Sequence, residues 1–181
     1  TNSRLSDLGK TQVQLLAERF SGSEFDLVVA SDLQRTMDTA AALDHPIEPD
    51  PRWREPFFGS WENRTTPQIM AEDPELVAAL FAGDDSAAPG GGELMADVVA
   101  RTRVALADLI ERVGGEGRVA VVSHGMALLM LIATLLGTRR PTPLRLLGNT
   151  STATMIVDGG EFSLRVYNDD THLGHTALPH F

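Results

Sequence analysis

Two short stretches of this chain place a basic or titratable side chain where an apolar run gives way to a helical pattern. In Ser31-Asp32-Leu33-Gln34-Arg35, the arginine falls in the first turn of the following helix. An arginine presents a planar fork of N–H donors, and a helix start has unpaired backbone N–H groups, so the place suits a phosphate or carboxylate. An arginine lying along a solvated helix face explains that one residue equally well. In Ser123-His124-Gly125 a histidine stands at the same kind of junction. A helix N-terminus lowers the pKa of an imidazole, and a bound phosphate raises it. Gly125 has no Cβ, so a ligand or another backbone can come close beside it. This setting favours a functional imidazole over a merely hydrogen-bonded structural one. The third candidate is Glu55, within Arg54-Glu55-Pro56-Phe57-Phe58-Gly59-Ser60-Trp61-Glu62. Aromatics that exclude water raise a carboxyl pKa toward general-acid work. Glu62 and Glu93 read as ordinary solvated loop carboxylates.

Other chemistries find no support. The chain has no cysteine, which excludes a disulfide scaffold, a thiolate metal site and a thiol nucleophile. His45, His172, His175 and His180 show no metal-ligand spacing, and the last three read as part of a loose C-terminal tail. No serine sits in a G-x-S-x-G elbow, and neither a Walker loop nor G-x-G-x-x-G occurs. Residues 88–93 are glycine-rich but follow no strand. Neither a metal nor a cofactor is therefore expected. With 15 Lys+Arg against 25 Asp+Glu the formal charge is −10, which opposes non-specific nucleic-acid binding. A few local Arg and His side chains must overcome that field if the ligand is an anion. The longest apolar stretch, residues 126–136, falls short of the ~20 residues a bilayer span needs. Residues 1–12 are polar and lack the apolar run of a secretory signal, so a cytoplasmic protein is expected.

The elements that must position these residues alternate between helix and strand periods. Residues 8–20 read as a helix, with Ser6 as N-cap and Gly22 as stop. Residues 27–30 form the apolar core of a strand buried on both faces, followed by a helix over 33–43. The grammar repeats with a helix over 94–113, a glycine turn over 114–117, a buried strand over 119–123 and an apolar helix over 126–136. The middle is less regular. Residues 46–63 read as loop with short extended pieces, Thr66 and Pro67 as a helix start, and 83–92 as a flexible loop. After Pro141 the pattern turns antiparallel: 152–157, an Asp-Gly-Gly turn and 162–168 make a hairpin. Such alternation predicts an α/β protein whose parallel or mostly parallel sheet is covered on both faces. At 181 residues a single domain, 1–181, is expected, burying roughly 70% of its unfolded surface. Ligands of such sheets bind beyond the carboxyl ends of the strands, where residues 31–35 and 123–125 fall.

Taken in order, these segments resemble the histidine phosphatase superfamily, which includes the cofactor-dependent phosphoglycerate mutases. The family's pLTelGrxQA looks like Arg4-Leu5-Ser6-Asp7-Leu8-Gly9-Lys10-Thr11-Gln12-Val13, and its SdLxRtxxTA is matched from Ser31 to Ala40. Its RExxxGxwEg is matched by Arg54-Glu55, Gly59 and Trp61-Glu62, with Asn63 where glycine is usual. GGES becomes Gly91-Gly92-Glu93-Leu94, and vsHG is Val122-Ser123-His124-Gly125. Two tail motifs, from Gly148 to Ala153 and from Tyr167 to Leu173, echo members as well.

The resemblance implies a three-layer α/β/α sandwich of the phosphoglycerate mutase type with a mostly parallel central sheet. It implies Arg35 and His124 as phosphate-binding catalytic groups and Glu55 as general acid and base, with no metal and no cofactor. One departure dominates. The family's R-H-G, which supplies the nucleophilic histidine at the end of the first strand, occurs nowhere in the 181 residues. That strand lies inside the family's sheet, so the expectation is a domain lacking its first strand, with the R-H-G in a segment ahead of Thr1 and two strand edges left unpaired. The expected activity is metal-independent phosphomonoester hydrolysis through a phosphohistidine, on a small phosphorylated substrate. The alternatives are mutase-type phosphoryl transfer, less favoured for so compact a chain, and a non-catalytic phosphate-binding relative. Phe57, Phe58, Trp61, Ile69 and Met70 hint at a partly apolar pocket mouth, although packing against the sheet explains each one more simply. Nucleic acid and membrane are not expected partners, and the oligomeric state stays open.

Overall fold

The computed structural model describes residues 2–82, 84, 86–138 and 144–176; Gly83, Asp85, Pro141 and His180, which figure in the segments above, lie outside the described residues, as does the side chain of His175. The first helix, α1 (Asp7–Phe20), starts where the sequence marks it: Ser6 Oγ accepts the Gly9 N–H at 3.1 Å. It leads to β1 (Leu27–Ala30), buried at all four positions, then α2 (Gln34–Ala40), a 3₁₀ turn (Ala41–Leu43) and the short β2 (Ile47–Pro49). Two more 3₁₀ turns, Pro51–Trp53 and Gly59–Trp61, precede α3 (Thr66–Glu72) and α4 (Pro74–Ala82). The N-cap of α3 is Thr65 and not Thr66; the Gln68 side chain reaches back to accept the Thr65 N–H. A further 3₁₀ turn (Pro89–Gly91) leads to α5 (Met95–Val113), β3 (Val119–Val122) and α6 (Gly125–Leu135). The hairpin β4 (Thr152–Asp158) and β5 (Glu161–Asp169) and a 3₁₀ segment (Thr171–Thr176) complete the described chain.

The three parallel strands run in the order β2-β1-β3, with Val28 opposite Ile47 and Leu27 opposite Val119. Successive side chains of a strand point to opposite faces. Leu27 and Val29 therefore pack with Trp53, Ala105, Leu109 and Leu131, which brings α5 and α6 onto one face. Val28 and Ala30 pack with Ala40, Leu43, Phe20 and Met37, which brings α1 and α2 onto the other. This is the expected α/β/α sandwich. Burying each such Val or Leu stabilises it by roughly 1.5–3 kcal/mol.

Three expectations need correction. Residues 119–122 do form a strand, but β3 is half-buried along its length, unlike β1. It ends the three-stranded sheet, whereas β4 and β5 pair antiparallel as a separate two-stranded sheet. The outer edge of β3 thus has no strand partner among the described residues. Second, the loop over 83–92 is not open along its whole length, since its second half packs against residues 57–61. A Cβ on Gly92 would stand 1.9 Å from the Phe57 carbonyl oxygen, and one on Gly59 2.1 Å from that of Gly90. Glycines here let two backbones touch. Third, His172 is not loose: its Nδ1 lies 3.1 Å from Arg19 Nη1, and Arg19 also pairs with Asp169 at 2.5 Å. No helix among the described residues is long and apolar enough to cross a membrane.

Candidate active site

The carboxyl ends of β1 and β3 are tied together by the Ser31 N–H, which donates to the Val122 carbonyl at 2.9 Å. Immediately beyond, His124 is the N-cap residue of α6, and only 8% of it is exposed. Its Nε2 lies 2.9 Å from Ser31 Oγ and its Nδ1 lies 3.1 Å from Arg35 Nη2. Arginine N–H groups only donate, so Nδ1 accepts, and Nε2 carries the proton and donates to Ser31. The imidazole is neutral. Burial, with the charges of Arg35 and Arg101 added, pushes its pKa down to about 3.

Glu55 arrives from the opposite side. The Asp50 N–H donates to the Ala30 carbonyl, extending the parallel pairing, and Trp53 is then buried against the sheet. Ser123 Oγ donates to the Trp53 carbonyl at 2.7 Å and so holds this segment beside His124. Met126, in the first turn of α6, donates its N–H to Glu55 Oε1 at 3.2 Å, and the Ala127 amide also interacts with the carboxyl. The other oxygen, Oε2, is buried and has no hydrogen-bond partner among the described residues. Burial pushes the carboxyl pKa up to about 7, against the opposing pull of the helix amides, Arg35 and Arg101. The result is a carboxyl that holds a proton near neutral pH and keeps one oxygen uncommitted.

The three predicted residues, Arg35, His124 and Glu55, are therefore brought together at one end of the sheet. The N-terminus of α2 is not open as the sequence implied: Asn2 Oδ1 accepts the Gln34 N–H at 2.8 Å. Arg54 forms a two-pronged pair with Asp32, at 2.6 and 2.5 Å, on the rim. Glu62 is half-buried, with Oε1 accepting the Phe58 N–H at 3.4 Å. Glu93 departs further from the solvated expectation, since it is partly buried against Arg101. Ser31, Asp32, Arg54 and Glu93 fall within the motifs quoted above but were given no site role there, and Arg101 left no signal. Of the aromatic and apolar residues of the middle segment, Phe57 and Met70 stand exposed, and Phe58, Trp61 and Ile69 are half-buried. His45 lies elsewhere, with its ring against the Pro46 carbonyl. Among the described residues no three His, Asp or Glu side chains are grouped as metal ligands would be.

The chain is similar to known proteins along most of its length. The sequence pattern described as the histidine phosphatase superfamily (branch 1) matches residues 1–170. A glucosyl-3-phosphoglycerate phosphatase of Mycolicibacterium vanbaalenii is 36% identical over 144 residues, covering 74% of this chain and 63% of the relative. A probable phosphoglycerate mutase of Yersinia enterocolitica is 33% identical over 141 residues, covering 76% of this chain and 65% of its own. The chain thus spans less than two thirds of the length of these curated relatives. The solved structure of a mycobacterial glucosyl-3-phosphoglycerate phosphatase complexed with VO3 superposes with a TM-score of 0.83 at 32% identity, covering 93% of this chain and 88% of that one.

Proposed function

Since this chain belongs to the histidine phosphatase superfamily, we propose that it carries most of the active site of a metal-independent phosphomonoester hydrolase working through a phosphohistidine. The observation that carries this reading is Glu55. A carboxyl with a pKa of about 7 and a buried, unpartnered oxygen, beside an Arg–His pair, has the properties of a general acid facing an anion site.

Arg35 and His124 receive the phosphoryl group. The arginine donates to its oxygens, and the negative charge of the ester raises the proton affinity of the neutral imidazole until it too donates twice. Together they neutralise charge that develops on the equatorial oxygens. An imidazole nitrogen attacks phosphorus, the P–O bond to the leaving alcohol breaks, and Glu55 gives that oxygen its proton. The Glu55 carboxylate then takes a proton from water as the water oxygen attacks phosphorus, the P–N bond breaks, and inorganic phosphate leaves.

In this reading the attacking imidazole is not His124, which serves the anion, nor His45 or His172, which pack elsewhere, and the tail residues His175 and His180 follow no strand end in the sequence. Our reading assigns it to a segment ahead of Thr1 that runs as a strand along the open edge of β3, so that 1–181 is one domain short of that strand. The half-exposed β3 and the separate β4–β5 sheet support this. The substrate class is a small phosphorylated metabolite, as the name of the mycobacterial relatives supports. The rim from Phe57 to Gly92, with the exposed Phe57 and Met70, is the proposed specificity region, and the proposed setting is cytoplasmic. The Yersinia relative favours a second reading, in which the phosphohistidine passes its phosphoryl group to a substrate hydroxyl instead of water.

Hydrolysis of an aryl phosphate by this chain and by a form extended to an upstream in-frame R-H-G tests the proposal. The extended protein is expected to turn over and the 181-residue chain to be inactive. An inactive extended protein contradicts the reading.

A further inference from the structure

Glu55 has one oxygen held by the start of α6 and the other unpartnered, so its aim depends on how the segment around it is fixed. That segment is held on both sides of Glu55 by a single arginine of α5. Arg101 Nη1 donates to the Arg52 carbonyl at 2.6 Å, three residues before Glu55. Its Nε and Nη2 grip the two carboxylate oxygens of Glu93 at 2.7 and 3.0 Å. Glu93 in turn donates its backbone N–H to the Phe57 carbonyl at 2.8 Å, two residues after Glu55. The Gly59–Gly90 and Gly92–Phe57 backbone contacts close the same seam. Both members of the pair are largely shielded from water, with side chains 19% and 24% exposed.

From this arrangement we infer that Arg101 is a positioning residue for Glu55, holding the chain at Arg52 directly and at Phe57 through Glu93, so that the free carboxyl oxygen faces the leaving group. The inference rests on the reading of Glu55 as general acid. An arginine is required because three of its N–H groups work at once in a fixed plane; a lysine would keep the charge and lose the fork. The charge of Arg101 also reaches Glu55, together with that of Arg35 from α2, while His124 at the start of α6 stays neutral. Keeping charge and geometry apart is therefore the purpose of the lysine variant.

The test compares wild type, R101K, R101Q, E93Q and E55Q in the catalytically competent protein, on an alkyl phosphate and on p-nitrophenyl phosphate. The nitrophenolate leaves without a proton and the alkoxide does not, so only the alkyl ester reads the aim of the acid. E55Q is expected to lose about 100-fold in kcat on the alkyl ester and far less on the aryl ester. R101K and R101Q are expected to show the same selective loss, about tenfold or more, with KM little changed. E93Q, which breaks the fork while leaving Arg101 in place, shows it too and covers the case of an Arg101 variant that fails to fold. A merely structural role lowers both rates together and overturns the inference, as does full recovery of the alkyl ester rate in R101K. An unchanged ester ratio in E55Q removes the general-acid reading itself; a selective loss in E55Q alone removes only Arg101. A second readout needs no turnover: in the 181-residue chain the Met126 amide resonance follows the ionisation of Glu55. That pH response is expected to shrink or vanish in R101K, and its persistence at full size counts against the inference.

Discussion

Glu55 and His124 make opposite demands on pH, and both follow from burial. Glu55 is raised from 4.5 to about 7, so its neutral form is the one the fold favours. The stability this contributes is complete below the unfolded pKa near 4.5 and is lost as pH climbs through about 7. With about 1.4 kcal/mol per unit, the loss amounts to about 3 kcal/mol at alkaline pH. His124 is lowered from 6.5 to about 3, so its contribution is complete above 6.5 and is lost as pH falls toward 3. E55Q keeps a neutral side chain that can still accept from Met126, and it is expected to melt higher than wild type at pH 8 but not at pH 4. A lower melting temperature at pH 8 would show that the carboxylate is stabilised at its site. Arg35 and His124 were legible because strand ends in parallel sheets gather ligands, a rule that needs no knowledge of side-chain contacts, whereas Glu55 was marked by the aromatics around it and by the Arg-Glu motif. Arg101 was not legible, and Glu93 was seen only as part of a motif, without its role. Their role lies in a side-chain bond to the Arg52 carbonyl and a backbone bond to the Phe57 carbonyl, and neither leaves a mark in local spacing.

At the scale of elements, the glycines of the middle segment act as contact surfaces. The 3₁₀ turns Gly59–Trp61 and Pro89–Gly91 touch backbone to backbone, an approach that no side chain at Gly92 could permit. G92A forces the two segments apart and is expected to cost about 2 kcal/mol or more in stability, measured by denaturant unfolding. The same variant should slow turnover of alkyl esters, because the displaced segment carries Glu55. A G92A protein as stable and as active as wild type would mean that the seam yields freely. In the sequence these glycines read as flexibility, since composition alone does not say what packs against a missing Cβ. The run Val119-Ala120-Val121-Val122 was misread for a related reason. Four apolar residues look the same whether a strand has one neighbour or two, so the edge position of β3 could not be distinguished from a central one.

For the whole molecule, the alternating pattern of helices and strands was enough to give the three layers and the antiparallel hairpin. The sheet order β2-β1-β3 adds what the pattern lacked: among the described residues it leaves the outer edge of β3 without a strand partner, beside the residues proposed to bind the anion. Against a formal charge of −10 for the whole chain, Arg101 pairs at the site with Glu93 and Arg54 with Asp32, and the Arg35 guanidinium stands beside a neutral His124. On the function proposed above, this site becomes a phosphatase when a histidine arrives on a strand along β3. Rapid acid-free denaturation of the upstream-extended protein during turnover of a ³²P-labelled ester, followed by peptide mapping, tests it most directly. An acid-labile, base-stable phosphohistidine is expected on the upstream segment and none in the 181-residue chain. Turnover without any trapped phosphoenzyme, or label on His124, would contradict it.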